Sequence, residues 1–590
     1  MASLTSYTDE PDPISLSPRF AKMKKNLIAC RERRVADSFY RLLRRLASEA
    51  DGIAACGSDL IPTINYLDIH DSVKVSSFRE ALRKRGVAVI KRVIPPSVAQ
   101  SWREETVEYV KENPQTRAYP LHNPRRLDMY WSPGQVRARA DSRVLEAQRF
   151  AMSTWHSGDE DALVSGSYPV AYADRLEVQI SDDGPFAVGP HLDNGSVERW
   201  ESDGYGQAGT YQDIFEGRWE NYDPWDSSSR HLATTDLYNR ASSCSMFRMF
   251  QGWLPLSPIP LGMGSLLVCP MLQLTTAYLL LRPFFTPRIK NPSSPDFLHP
   301  NNWNMNVSQT SVLHGAIPGY QQEISIALHP HLQLPRTMVR IPSVSPGDYI
   351  IWHPDVVHAV NPSRSPSNTL GKPQHPYSDP LPRSLPNQIS GFSISASQPS
   401  TTAAILYIPA CPLTQTNVLY LSRQRRAFLL GLPAPDFAES SMYITPTSFA
   451  RGNGGQERDH VARPSAQDVS DAGGDDGLRS MGLMPWEEGS GDTLTQDGQN
   501  EGRRKKVKLE TGNDTGLGSS STVITVANSY GRGGGDDRED MTAEAMARRQ
   551  ESEQRLLRLA NAILFPDGTD QLPVERAGGW SISRYIDPDL

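Results

Sequence analysis

The spacing of apolar positions changes near residue 172, and the change divides the chain into a helical part and a strand-rich part. Within residues 19–47, Val35, Phe39, Leu42, Leu43 and Leu46 recur at three- and four-residue intervals among Arg and Lys. That is the stripe of an amphipathic helix. Glu32 and Asp37 interrupt its basic face, so it is expected to pack on a core rather than lie on a membrane. Residues 87–93 (VAVIKRV) form an apolar run stopped by Pro95 and Pro96, the mark of a strand. A helix is expected over 96–111, with Pro at its start and Val98, Trp102, Tyr109 and Val110 on one stripe. Another is expected over 139–155. From Tyr172 the apolar runs shorten, and strands are expected over 176–180, 246–255, 265–269, 324–329, 337–341 and 403–408. Many short strands separated by turns argue a closed or sandwiched β fold with the helices packed outside it. A last helical stripe, Leu556, Leu557, Leu559, Ile563 and Leu564, is expected to dock back on the core, with a protein partner as the alternative.

The polar stretches set the domain boundaries. A chain of 590 residues with 38% hydrophobic content fits one enzyme-sized core diluted by polar segments. Residues 1–17 read as a flexible lead and 18–438 as the main domain. Two insertions interrupt that domain: the polar, aromatic-rich segment 201–242, expected as a surface excursion, and the Pro/Ser-rich segment 363–402. A long loop is tolerated there because closure entropy grows slowly with length. Residues 439–540 read as mostly disordered and low in complexity around the short block 479–486, followed by the helix and tail of 541–590.

A formal net charge of −7 argues against a nucleic-acid binder. Five scattered cysteines without a CxxC pair indicate neither a thiolate zinc site nor a disulfide framework, and make a reducing compartment the default. The amino-terminal residues lack the apolar segment of a secretory leader. The longest apolar run, residues 276–285, is too short to span a bilayer. A cytoplasmic protein is expected, with the basic run 503–508 (RRKKVK) in the form of a nuclear import signal.

Candidate chemistry centres on residues 189–195 (GPHLDNG) and 346–362 (PGDYIIWHPDVVHAVNP). In an extended strand, positions i and i+2 point the same way, so His191 and Asp193 can hold one ion together. The second segment adds a histidine after a Pro-Gly-Asp turn. Two imidazoles and one carboxylate on one face of a metal leave three positions open, the facial triad of non-haem Fe(II) oxygenases. His353 and His358 are five apart and would face opposite ways in one strand, so the residues alone leave the third ligand open. His314, His329 and His331 are further histidines near a strand, and Asp355 could orient an imidazole.

The segment 346–362 resembles the phytanoyl-CoA dioxygenase branch of the 2-oxoglutarate oxygenases, in which a Gly-Asp turn precedes the distal histidine by about eleven residues. Residues 189–200 (GPHLDNGSVERW), 247–256 (FRMFQGWLPL), 314–332 and 407–414 (YIPACPLT) resemble the YbiU-like family of uncharacterised oxygenases. The likeness spans roughly residues 15–440 and the block 479–486 (RSMGLMPW). It implies a mainly β fold with flanking helices, on a double-stranded β-helix (jelly-roll, cupin-like) core. It selects His358 beside His191 and Asp193 as the metal ligands, with Fe(II) as the metal and 2-oxoglutarate as co-substrate. It also implies dioxygen consumption and hydroxylation of a small molecule, with succinate and carbon dioxide released. One departure stands out. The arginine that leads into the last strand in that pattern, and would bind the far carboxylate of 2-oxoglutarate, is absent from residues 399–403 (PSTTA). Arg248, then Arg364, are the candidate replacements, with Arg175 on an earlier strand. The departure leaves two alternatives: an oxygenase fold that has become a binding or regulatory protein, and a cupin-like metalloenzyme that does not use 2-oxoglutarate.

Overall fold

The computed structural model describes residues 13–116, 118–119, 126–178, 188–239, 243–259, 266–360, 404–437, 457–487 and 542–566. Arg364, the 363–402 insertion and the basic run 503–508 lie outside them. In chain order the strands are β1 (Thr63–Asn65), β2 (Val87–Lys91), β3 (Ala118–Tyr119), β4 (Arg126–Leu127), β5 (Val164–Val170) and β6 (Leu176–Val178). Next come β7 (Val188–Leu192), β8 (Gln251–Pro255), β9 (Leu266–Val268), β10 (Phe285–Pro287), β11 (Trp303–Met305) and β12 (Gln322–Glu323). The remaining strands are β13 (Val339–Arg340), β14 (Tyr349–Trp352), β15 (His358–Val360), β16 (Ala404–Tyr407) and β17 (Cys411–Thr414).

Two sheets organise the molecule. The larger runs β1-β2-β14-β8-β16-β6-β4-β3 and the smaller β12-β7-β15-β9-β13. Every pairing in them is antiparallel except β1 with β2. The sequence places the turn into β14 firmly. Gly347 has φ of 83°, and a Cβ there would meet the Ile94 carbonyl oxygen at 2.0 Å, so only glycine fits. Asp348 then accepts hydrogen bonds from the backbone N–H groups of Arg92 and Ser345, which fixes β14 against β2.

Helices are more prominent than the sequence reading expects, and the fold is mixed rather than mainly β. The 19–47 stripe is two helices, Pro18–Leu27 and Glu32–Cys56, broken near Cys30 at φ 63°. The 139–155 helix is also two, Pro133–Ala140 and Ser142–Met152, split at Asp141, which caps the second by accepting from the Arg143 N–H. Helices Ser72–Arg85, Leu272–Leu281 and Gln415–Leu430 lie outside the expected elements. The first has a legible cap: Asp71 accepts from the Val73 and Lys74 N–H groups, and Gly86 ends the helix at φ 74°. Leu272–Leu281 is mostly apolar and buried on nearly every side, which erases the amphipathic period. Among the described residues no helix is long and apolar enough to cross a membrane.

Two further expectations are corrected. The 201–242 segment is not a surface excursion: Tyr205, Tyr211, Trp219, Tyr222 and Trp225 are all buried. Its polar atoms find partners inside, as when Trp219 donates to the Ser38 carbonyl and Trp225 to that of Arg83, so polar composition does not signal exposure here. Within 439–540, residues 457–487 are structured and carry the helix Ala466–Ser480, opened by a Ser465/Asp468 capping box.

The core has two parts. The larger surrounds the two sheets and the amino-terminal helices. The smaller joins Trp131, Val170, Leu413, Leu421 and Phe428 to Met481 and Trp486 of the 479–486 block, and to Leu556, Leu557 and Leu564. Those leucines belong to the helix Ala543–Leu564, which is docked internally. Asn561 seals the contact by accepting from the Trp486 N–H and donating to its carbonyl.

Candidate metal centre

β7 and β15 are neighbours, and their register sets His191 directly opposite His358. Asp193 follows β7 by one residue and turns back between the two rings. Its Oδ1 lies 3.3 Å from His191 Nε2 and its Oδ2 lies 3.3 Å from His358 Nε2. One ligand atom from each of the three residues falls within 4.8 Å of the others. Both imidazoles are oriented from behind: His191 Nδ1 donates to the Gly189 carbonyl at 2.7 Å and His358 Nδ1 to that of Val356 at 3.0 Å. This fixes the tautomer and turns each Nε2 lone pair toward the shared point. Burial and the neighbouring His191 push the His358 pKa down, favouring the neutral form a cation needs. Burial opposes charge on Asp193, and protonated His191 and His358 overcome it and hold its carboxyl well below the usual range; with the imidazoles neutral, a bound cation would take over that part. The histidine side chains are 8% and 5% exposed and that of Asp193 29%, so the carboxylate marks the open side. Two neutral imidazole nitrogens and a carboxylate are a donor set that fits a divalent first-row metal.

The larger sheet supplies the facing wall. Gln251 pairs with Trp352 and Trp253 with Ile350 across β8 and β14, so these side chains share one face. Gln251 Nε2 donates to Asp193 Oδ2 at 2.8 Å, and the Trp352 ring lies 5.3 Å from that of His358. Arg248 is buried and hydrogen-bonds Asn194 Oδ1, adjacent to Asp193 in the chain. Burial works against its charge, yet Cys244 and Asp193 hold its pKa above the ordinary value. Arg248 Nε, Gln251 Oε1, Trp253 Nε1 and Trp352 Nε1 are buried atoms without a hydrogen-bond partner, a concentration of unmet polar groups of the kind that ligands satisfy.

The remaining candidates lie elsewhere. His353 turns away from the centre, donating to the Pro224 carbonyl, accepting from the Asp355 N–H and stacking on Trp155. His331 meets the Tyr278 hydroxyl, and His329 accepts from the Ser325 N–H; both are core histidines whose pKa burial lowers to about 3. Arg175 stacks on Phe437. Asp355 does not contact either metal-facing imidazole. It is fully buried and paired with Arg199 at 2.7 Å and Arg230 at 2.6 Å. Sequence reasoning passed over Gln251, whose one signal is a lone polar residue opening an apolar strand.

The family model for Gig2-like proteins matches residues 14–483. The chain belongs to the Gig2-like family. Among its Gig2-like relatives, the uncharacterised protein YbiU of Escherichia coli K12 is 27% identical over 402 residues, 66% of this chain and 82% of YbiU. The crystal structure of GlcNAc Inducible Gene 2 (GIG2) from Candida albicans is similar at TM-score 0.65 and 27% identity, covering 82% of this chain and 93% of that one. That of the hypothetical protein JW0805 from Escherichia coli is similar at TM-score 0.59 and 25% identity, covering 81% of this chain and all 100% of that one. Residues 14–483 include His191, Asp193, His358 and the first part of the 479–486 block, residues 479–483, so the Gig2-like unit embraces both the centre and part of the second core.

Proposed function

We propose that this Gig2-like chain is an Fe(II)- and 2-oxoglutarate-dependent oxygenase that hydroxylates a small molecule, on a double-stranded β-helix core related to the phytanoyl-CoA dioxygenase branch. The observation that carries the reading is the convergence of His191, Asp193 and His358 from two adjacent strands and the turn beside them, with ligand atoms within 4.8 Å. Those three residues would hold the metal. Fe(II) with a chelating keto acid supplies oxidising power toward a C–H bond. The chain's own part is to fix ligand direction through Gly189 and Val356, to steady the Asp193 carboxylate through Gln251, and to wall the open side with Trp253 and Trp352. Arg248 is the base we assign to the far carboxylate of 2-oxoglutarate, because it is buried beside Asn194 and its Nε lacks a partner. A single neighbouring cation suits a carboxylate there.

The test is anaerobic addition of Fe(II) and 2-oxoglutarate to the full chain. A weak visible absorption band from keto-acid chelation is expected, followed by succinate formation on admission of dioxygen. Metal binding without that band and without succinate would favour the cupin-like metalloenzyme, a reading supported by the base-free residues 399–403. Absence of metal binding would leave only a non-catalytic binding role.

A further inference from the structure

Behind the proposed metal centre lies a buried ionic cluster in which residues of the 201–242 segment surround Arg199 and Asp355. Arg199 donates through Nη1 to Asp355 Oδ1 at 2.7 Å and through Nη2 to the Asn194 carbonyl at 2.7 Å. Arg230 donates to Asp355 Oδ2 at 2.6 Å and to the Tyr222 hydroxyl. The hydroxyls of Tyr211 and Tyr222 also reach Asp355, at 3.2 Å and 3.3 Å, and Tyr205 donates to the Asn194 carbonyl at 3.3 Å. The side chains of Asp355, Arg199 and Arg230 are 0%, 2% and 3% exposed.

The ends of this cluster are what matter. The Asn194 carbonyl belongs to the residue after Asp193. Asp355 sits in the turn His353–Val356, closed by the Val356 N–H to the His353 carbonyl, and the Val356 carbonyl aims the His358 ring. One guanidinium therefore grips both segments that bring ligands to the centre.

We propose that Arg199 and Asp355 are positioning residues that clasp the Asp193 turn to the His358 turn and so set the spacing of the metal ligands. Buried ion pairs add little net stability, because desolvation cancels much of the attraction. Their established use is to enforce one arrangement, and groups behind metal ligands set affinity by about 10-fold to 100-fold. The clasp also gives the 201–242 segment a role: Arg230 and Tyr222 engage Asp355 Oδ2, and Tyr211 accepts from Arg199 Nη1 while reaching both oxygens of Asp355.

This inference rests on the metal reading, and the experiment separates the two. Co(II) alone, titrated into the full chain, is followed by calorimetry and visible absorption. Arg199→Lys keeps the charge but not the two-pronged grip, and Tyr211→Phe removes only a hydroxyl. A control, Glu49→Gln, breaks a distant ion pair with Arg85. Expected are a weakening of Co(II) binding by about 10-fold or more in Arg199→Lys, a smaller one in Tyr211→Phe, and an altered absorption spectrum in both. Glu49→Gln should bind as the wild type does. If the wild-type chain takes no Co(II), the metal reading fails. If it does, and both variants bind with wild-type affinity in their folded fraction, the clasp is refuted while the metal centre stands. A variant that loses binding only in proportion to its unfolding counts as the same refutation.

Discussion

The buried amides of the carboxy-terminal core and the buried polar atoms beside the proposed centre differ in whether their hydrogen bonds are made. In the carboxy-terminal core each buried amide is matched: Asn417 bridges the Phe247 N–H and carbonyl, Gln424 accepts from the Ala173 N–H and donates to the Ala171 carbonyl, and Asn561 does the same for Trp486. In the sheet core, beside His191, Asp193 and His358, four buried polar atoms of Arg248, Gln251, Trp253 and Trp352 go unmatched. An unmade buried hydrogen bond costs about 1–3 kcal/mol. The buried amides Asn417, Gln424 and Asn561 avoid that cost. Beside the proposed centre, a ligand that the chain does not encode would complete the set.

The contrast can be broken most forcefully at the ligands. Asp193→Ala or His358→Ala should abolish Co(II) and Fe(II) binding, beyond the roughly 10–100-fold loss of an outer-shell change, with little change in thermal unfolding. Retained calorimetric binding would remove the basis of the proposed chemistry. In the other core, Leu557→Ala, at a fully buried site, should cost about 2–5 kcal/mol of stability and leave Co(II) affinity untouched. A parallel loss of metal affinity would mean that the two cores are one cooperative unit. Arg248→Ala should spare the metal and weaken 2-oxoglutarate binding by about 1.5–3 kcal/mol, roughly tenfold to a hundredfold. An unchanged chelation titration would exclude Arg248 as the carboxylate partner.

A further expected effect is in pH, and it has opposite sign in the two cores. Burial lowers the pKa of His353, His329 and His331 to about 3. The unfolded chain binds protons on them near 6.5 while the folded chain does not, so their stabilisation is complete above 6.5 and is lost as pH falls toward 3. Glu457, which accepts from the Tyr130 and Trp131 N–H groups, is pushed up to about 8 by burial, although those donors and Arg139 pull it the other way. Its contribution is complete below about 4.5 and is lost as pH rises through 8. Glu457→Gln should therefore flatten the alkaline limb of melting temperature against pH and leave the acid limb unchanged. An alkaline limb identical to wild type would refute this.

The strands that carry the centre were legible because their constraints are local. A Gly-Asp turn, an alternating run and an H-x-D triplet are read within a few residues, and the family likeness chose His358 over His353. The clasp was not legible. Arg199, Arg230, Tyr211 and Asp355 meet from segments more than a hundred residues apart in some pairs, and a polar, aromatic segment looks the same whether it is solvated or folded around a buried carboxylate. Helix Leu272–Leu281 escaped for the converse reason, since burial on all sides removes the periodicity that betrays a helix. The Gly- and Asp-rich residues 466–480 read as low complexity, but their glycines permit close packing: a Cβ on Gly473 would meet the Ala140 carbonyl oxygen at 1.7 Å.

The seating of helix Ala543–Leu564 against Gln415–Leu430, where Arg425 donates to the Leu564 carbonyl, carries a consequence for biosynthesis. Translation delivers that helix long after the sheets have left the ribosome, so a nascent chain must expose the apolar bed around Leu421 and Phe428 until its cover arrives. A premature stop anywhere between residues 487 and 542 would then yield a protein with strands β7 and β15 intact and a greasy scar on its flank, a substrate for chaperones and proteases rather than a durable product.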